Sequence, residues 1–506
     1  MFVDALCIDQ RNVEEKNTQV PLMGRIYGQA TVVRCWLDLP AAGSDRAMEI
    51  LKLSSEDQLM KDMVVAGLPV DLEDLASLTD LLMRPYWRRA WILQEVVLAR
   101  QAILYCGKYR LISHHLPTFS QFSASVWSGV ANLTADNEPA AALSSNAAMY
   151  LKVIDAVSNY IALSSMLARK CQGNLGWPNT GELMVSTAQL ASVHHDHVYA
   201  ILGTLEPGLA QRVVPNYAMS VSNVFRDFAF TYMDVRNSAR LLARSICLKP
   251  NSFDLPTWVP DFSTHPVMGL TSDMFQENDQ VEPKFCMTED GLLGVDAFCM
   301  DHIVDCRPVE VGSETLFNLD VDTGRALEYH RVWREFFQLH ELDESSYIGG
   351  GQVEDAYWRT LCLDVYSTTY PYKADDGSPW LLQKHVAACS SWYASRNVSA
   401  TREDEHVAKQ CNHGLAMLGK HHLFRTAKGY FGVTDTGSAA KVRDKVFLIA
   451  GTTNPFLLRR CRGMDDRAVY KLVGAAYVHG TMLREVIPDH VCEELPAIDL
   501  ESVWLA

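Results

Sequence analysis

Very little in these 506 residues announces a chemistry by motif. There is no G-x-S-x-G, no H-E-x-x-H and no G-x-G-x-x-G, so the hydrolase elbow, the zincin helix and the dinucleotide-binding turn all lack a carrier. None of the 13 cysteines stands three residues from another, which removes paired metal or redox spacing. Thirteen is odd, and in a chain this long the thiols read as free, mostly buried groups in a reducing compartment. No apolar run reaches transmembrane length and no secretory segment follows Met1, so the expectation is a cytoplasmic protein without a membrane span. Positive charge is scarce: 45 Lys and Arg face 61 Asp and Glu, a formal net charge of −16. That balance argues against a general nucleic-acid or anionic-membrane binder. Arg459, Arg460 and Arg462 form the densest basic cluster, and it reads as a short solvated turn.

What is present is ordinary globular material, 48% hydrophobic and 21% charged, enough for two to four domains with sizeable cores. The most informative stretch follows Arg84-Pro85, where Pro is permitted at a first helical position. The run from Tyr86 to Leu98 predicts a helix with Trp87, Trp91, Gln94 and Leu98 on one stripe and Glu95 at its edge. A carboxylate set against two indoles must find a partner or shift its pKa upward. Two readings of Glu95 stay open: a poised acid–base or cation-stabilising group, or a structural ion pair with Arg88, Arg89 or Arg34.

The rest of the chain reads as alternating elements. Residues 2–8 predict a strand or strand end. Asp4 and Asp9 flank its terminus, where α/β folds place ligand groups, or else cap the following helix. Asn12 and Glu15 have capping-box spacing, and Pro21 should kink or re-start the helix that follows. Residues 31–37 and 102–107 read as strands, and 48–53 and 72–82 as helical stretches, a pattern for parallel strands in an α/β domain. Residues 128–147 read as a flexible linker, and 148–170 and 181–191 as helical. Residues 191–205 run from a polar turn into an apolar helix, and another helix is expected over 219–235. Leu255–Asp261 should be rigid and extended, because each Pro restricts its predecessor. Residues 284–305 resemble a hairpin, and 323–345 and 353–396 look helical. Gly349-Gly350-Gly351 lacks the helix and Lys of a phosphate loop. Short strands at 422–426, 430–433, 445–450, 456–458 and 470–477 predict a small antiparallel sheet or partial barrel. His194-His195-x-His197, with only Asp196 nearby, and the pairs His114-His115 and His421-His422 show no closed ligand set, so no metal is expected.

Three blocks, "FVDALCIDQ", "QVPLMGRIYGQATVVRCWL" and "RPYWRRAWILQEVVLA", resemble in order the fungal heterokaryon-incompatibility (HET) domain. "HDHVYAILGTL", "VVPNYAMSVSNVFRDF", "LPTWVPDFS" and the strands of the tail resemble the extended architecture of long HET-domain proteins. The resemblance implies a role in nonself recognition and in programmed cell death after incompatible fusion. The family's domain is itself similar to the TIR fold, in whose NAD-cleaving members a Trp-containing helix carries the catalytic Glu. Matched residue by residue, Trp91 and Glu95 fall on that pattern. It implies NAD+ as substrate, with no cofactor, Glu95 stabilising an oxocarbenium-like cation, and Trp91, Trp87 and Asp4 as substrate-binding residues. The family's opening block, resembling "LSYxWG", is not seen before Phe2, so the domain is expected to be N-terminally truncated with an exposed sheet edge.

The resulting expectation is an α/β chain: an incomplete TIR-like parallel sheet flanked by helices over 1–107, a linker and helical connector over 108–205, a mixed α+β region over 206–420, and a small antiparallel β unit over 421–506. The rival to NAD+ hydrolysis is a non-enzymatic scaffold that self-associates or binds protein partners, or an inactive remnant.

Overall fold

The computed structural model describes residues 1–53, 72–116, 190–245, 253–264, 283–309, 323–339, 345–364, 381–394, 421–434, 439–452, 454–461, 468–481 and 500–506, with scattered positions from 152 to 170. The linker expected at 128–147 and the helix over 181–189 lie outside the described residues. The chain divides into two compact units, Met1–Thr231 with Phe262–Pro266, and Tyr232–Asp261 with Val267–Ala506.

The first unit is built on a three-stranded sheet, β1 (Val33–Trp36), β2 (Ala102–Cys106) and β3 (Tyr109–Ile112). β1 and β2 run parallel, and β3 returns antiparallel from β2. Val33, Cys35, Ala102, Leu104 and Leu111 bury one face, while the alternate residues stay partly or fully exposed. Arg84 ties the sheet to the helix Ser44–Leu53: its guanidinium donates to Leu37 O at 2.8 Å and to Ser44 Oγ at 2.9 Å. The helix Leu72–Leu82 falls where its periodicity put it.

Local capping follows the sequence closely. Asn12 Oδ1 accepts from Glu15 N at 3.1 Å, and Glu15 Oε1 accepts in turn from Asp9 N at 3.2 Å, three residues before the usual reciprocal donor, Asn12 N. At Pro21 the helix breaks into Val13–Gln19, a 3₁₀ turn Val20–Leu22, and Met23–Gln29. Three expectations differ from the structure. Residues 2–8 contain no strand; Asp4–Cys7 form one helical turn, with Leu6 82% exposed. A short apolar run carries no periodicity that separates the two states. The continuous helix over 86–98 is also absent. Pro85–Arg88 is a 3₁₀ turn, Arg89 is extended (ψ 134°), and Gln94–Leu98 is a π-helix. Leu255–Asp261 is likewise not simply extended, since Val259 N closes a turn onto Pro256 O at 2.9 Å.

The second unit holds an eight-stranded sheet. β5 (Leu293–Pro308), β8 (Lys445–Ile449), β9 (Pro455–Arg460), β10 (Val469–Val478), β7 (Phe431–Thr434) and β6 (His422–Thr426) pair in turn, and β6 pairs back to β5. Every step is antiparallel, so the pairings close a barrel and leave its strands without a free edge. The β unit expected over 421–506 therefore recruits the hairpin at 285–308, with β4 (Phe285–Met287) and β11 (Glu501–Leu505) flanking the start of β5. Bulges at Cys299/Asp301 and Ile303/Asp305 let β5 coil from one partner strand to the other. Met300, Ile303, Phe424, Val446, Leu457 and Val478 pack together inside. On Leu423, Phe431, Val433 and Tyr477 pack the helices Thr323–Phe336, Val353–Cys362 and Gln383–Ala394. Of the basic cluster, Arg459 and Arg460 lie in β9 rather than in a turn, and Arg459 donates to both oxygens of the buried Asp444, at 2.8 and 2.7 Å; Arg462 lies outside the described residues.

Gly432 stands opposite Phe424 across β6 and β7, and a Cβ there would lie 2.2 Å from the Phe424 ring. The ring thus covers the bare backbone. Gly432→Ala should destabilise the protein by about 1–3 kcal/mol, read as a lowered urea midpoint; an unchanged midpoint would show that Phe424 moves aside freely.

Candidate functional site

Arg89 shapes the whole region. Its extended backbone forms a parallel bridge with Leu190: Ala90 N donates to Leu190 O at 3.0 Å, and Leu190 N donates to Arg88 O at 2.5 Å. The chain then re-enters helix through Trp91–Leu93 and widens into the π-turn, a winding often found at functional sites. Because of the break, Trp87 and Trp91 do not share a stripe.

Glu95 points inward and is buried, 8% exposed. The Tyr86 hydroxyl donates to its Oε2 at 2.8 Å, and the half-exposed Arg89 guanidinium stands 3.5 Å from Oε1. Burial pushes the Glu95 carboxyl above the usual carboxylate range, while Arg89 and the Tyr86 hydroxyl pull it back and Asp4 adds to the rise. Around it, burial and the Glu95 charge raise Tyr27, and burial pushes the Cys35 thiol up to about 12. Of the two readings open from sequence, the geometry contains the ion pair: Arg89 is the partner among the three arginines considered.

Trp91 faces elsewhere. Its indole N–H donates to Asp196 Oδ2 at 3.1 Å, and the Tyr217 hydroxyl donates to Asp196 Oδ1 at 2.6 Å. Lys16 sits 4.2 Å above the Tyr217 ring. Burial raises the Asp196 carboxyl, and its two donors oppose that rise. These residues line a partly open cleft together with Asp4, Gln10, Met23 and Ser192. Asp4 and Trp91 thus reach the cleft, but Glu95 is not among its lining residues. Trp87 is in the core, 1% exposed, edge-on to Tyr86 and Tyr160. Asp4 also accepts from Ala5 N at 2.8 Å, and Asp9 from Arg11 N at 3.0 Å, so both serve local turns.

Gln94, between these two groups, clamps a third segment. Its amide donates to Ala200 O at 2.9 Å, and its carbonyl end faces Gly24 and Gly203, which pack backbone to backbone. Tyr86 and Cys35 were not marked by sequence, and Asp196 was weighed only as a neighbour of the His194-His195-x-His197 cluster. Tyr86 adjoins the motif, but Asp196 is 105 residues from Trp91 and no local pattern links them. Among the described residues no group of three or more His, Cys, Asp or Glu is placed to hold a metal ion, and His195 Nε2 instead lies 2.8 Å from Met219 O.

Residues 1–95 match the family model described as Heterokaryon incompatibility protein (HET). The first 95 residues of the chain thus carry the HET domain. A curated relative from Neurospora crassa, "Heterokaryon incompatibility protein 6, OR allele", is 22% identical over 569 residues, spanning 95% of this chain and 80% of that protein. No solved structure matches the chain. The HET match covers β1, the Arg89 break and Glu95, its last residue. Asp196 and Tyr217, which complete the cleft, lie beyond the match. No helix among the described residues is long and apolar enough to cross a membrane.

Two measurements check this geometry. Trp91→Phe removes a donor from the half-buried Asp196 carboxylate and should cost about 1–3 kcal/mol, with Tyr217→Phe non-additive to it in a double-mutant cycle. For Glu95 the sign is fixed by burial. Between the ordinary carboxylate value of 4.5 and its raised native value, the folded state binds more protons than the unfolded chain, so stability falls as pH rises. Glu95→Gln cannot titrate, so relative to wild type it should gain stability from acid to neutral pH in urea unfolding; a relative loss over that window would contradict the assignment.

Proposed function

We propose that this chain acts in heterokaryon incompatibility, as the name of its Neurospora relative states for that protein, and that its HET domain signals nonself recognition and cell death by binding protein partners or further copies. The observation that carries this reading is the occupation of Glu95. Both carboxylate oxygens are engaged inside the protein, by Tyr86 and Arg89, and the side chain lies off the open cleft. A carboxylate meant to meet a cation forming on ribose needs access to the sugar.

NAD+ cleavage is the second reading, and one observation favours it. Asp4 and Asp196 bring two carboxylates to the cleft beside the Trp91 indole, and Asp4 also acts on Glu95. Under that reading the TIR-like roles of Trp91 and Asp4 would be in substrate binding, and Arg89 would have to swing aside to admit the nicotinamide riboside to Glu95.

Purified protein incubated with NAD+ separates the two. The assembly reading expects no NAD+ loss above a heat-inactivated control, for wild type and for Glu95→Gln alike, from protein whose expression nonetheless arrests fungal growth. Turnover that Glu95→Gln abolishes, with circular dichroism unchanged, would replace assembly by catalysis.

A further inference from the structure

β1 is the outer strand of its sheet, and among the described residues nothing pairs with its far edge. The ladder's parity fixes what that edge presents. Val33 N donates to Gln101 O at 2.9 Å and Leu37 N to Tyr105 O at 2.7 Å. Odd-numbered residues therefore turn their backbone groups towards β2, and Arg34 and Trp36 turn theirs away. The same two residues carry the strand's exposed side chains, Trp36 at 54% exposure, while Val33 and Cys35 are buried. On the exposed face Arg34 neighbours Ile103, and Trp36 neighbours Tyr105. Val32 and Leu39, both exposed, flank the strand.

We propose that this edge pairs antiparallel with the β1 edge of a second copy of the chain. The inference rests on the assembly reading above and names its surface. Parity and charge select the register. Residues opposite each other must lie on the same face, and a pair that exchanges two backbone bonds must have both residues turned outward. A two-fold axis at Cys35 meets both conditions. It sets Arg34 of each copy against Trp36 of the other, a guanidinium on an indole in both halves of the interface. An axis at Arg34 would oppose two guanidiniums. An axis at Trp36 would need Asp38 in the strand, but Asp38 has φ 92° and its carbonyl accepts from Gly107 N. The favoured contact uses the same patch on both copies and closes as a dimer. Edge strands are ordinarily protected by charge because like charges oppose on pairing; here the offset removes that protection. Exposed Val32 and Leu39 supply apolar surface beside the short ladder.

Sedimentation equilibrium of the full chain tests this, comparing wild type with Arg34→Glu, Trp36→Glu and Arg34→Lys, each checked by circular dichroism. Wild type and Arg34→Lys should be dimeric, and either Glu variant should weaken the dimer at least about tenfold, since each substitution acts in both halves. Should a Glu variant fail to fold, Trp36→Thr keeps strand preference without the indole and should weaken the dimer as well. A wild-type monomer at every concentration, or a dimer untouched by these variants, overturns the proposal. Growth arrest is scored separately. A monomer that still arrests growth overturns the pairing alone, whereas a dimer that does not arrest growth supports the pairing and overturns the assembly function.

Discussion

The bridge between Arg89 and Leu190 is the constraint on which the HET domain's geometry depends. It holds one residue of an otherwise helical segment extended, pinned by two backbone bonds to a strand-like residue a hundred positions away. An uninterrupted helix would place Trp87, Trp91 and Glu95 along one flank. With the bridge in place the winding restarts after Arg89. Trp87 turns into the core, Trp91 out to the cleft, and Glu95 back under Tyr86 and the Arg89 side chain. The residue that breaks the helix thus also supplies the cation that its carboxylate requires.

The consequences spread through the unit by contact. Gln94 lies between Trp91 and Glu95 in sequence, so the position of the π-turn sets where its amide reaches the carbonyls of Tyr199 and Ala200. That reach brings Gly24 and Gly203 together, where a Cβ on Gly203 would sit 2.5 Å from the Gln94 carbonyl oxygen and 2.9 Å from Gly24 Cα. The short helix Asp196–Tyr199 is then placed for Asp196 to receive the Trp91 indole and the Tyr217 hydroxyl. Buried carboxylates are costly unless paired or hydrogen-bonded. The buried Glu95 and the half-buried Asp196 each meet that requirement with an aromatic donor, and neither is left with both oxygens free for a substrate.

Much of this was legible in the sequence where the information is local. The tail strands fell within a residue or two of their expected spans, because β-branched and aromatic runs alternate there with Gly, Asn and Asp turns. Pro21, Asn12 and the helix Leu72–Leu82 were equally readable. The HET resemblance was carried by three blocks, and the family match spans the first two and reaches Glu95 within the third. What failed was long-range. No Pro or Gly marks Arg89, whose partner is Leu190. Residues 2–8 look like a strand but find none beside them among the described residues. The barrel's closure depends on β5, which pairs with strands more than a hundred residues later. For Glu95 the sequence posed the right pair of alternatives, and the partner, Arg89, was among the candidates. The placement of Trp91 away from Glu95 could not be seen, since it follows from the bridge.

On the proposed assembly function, Glu95 is a buried structural carboxylate, held by Tyr86 and Arg89, and performs no chemistry. Expression of Glu95→Gln in a fungal host, at protein levels matched to wild type, tests that claim most directly. Growth arrest as strong as wild type is the predicted result, because the amide retains the Tyr86 hydrogen bond and the fold. Loss of arrest from an abundant, folded Glu95→Gln protein would contradict it.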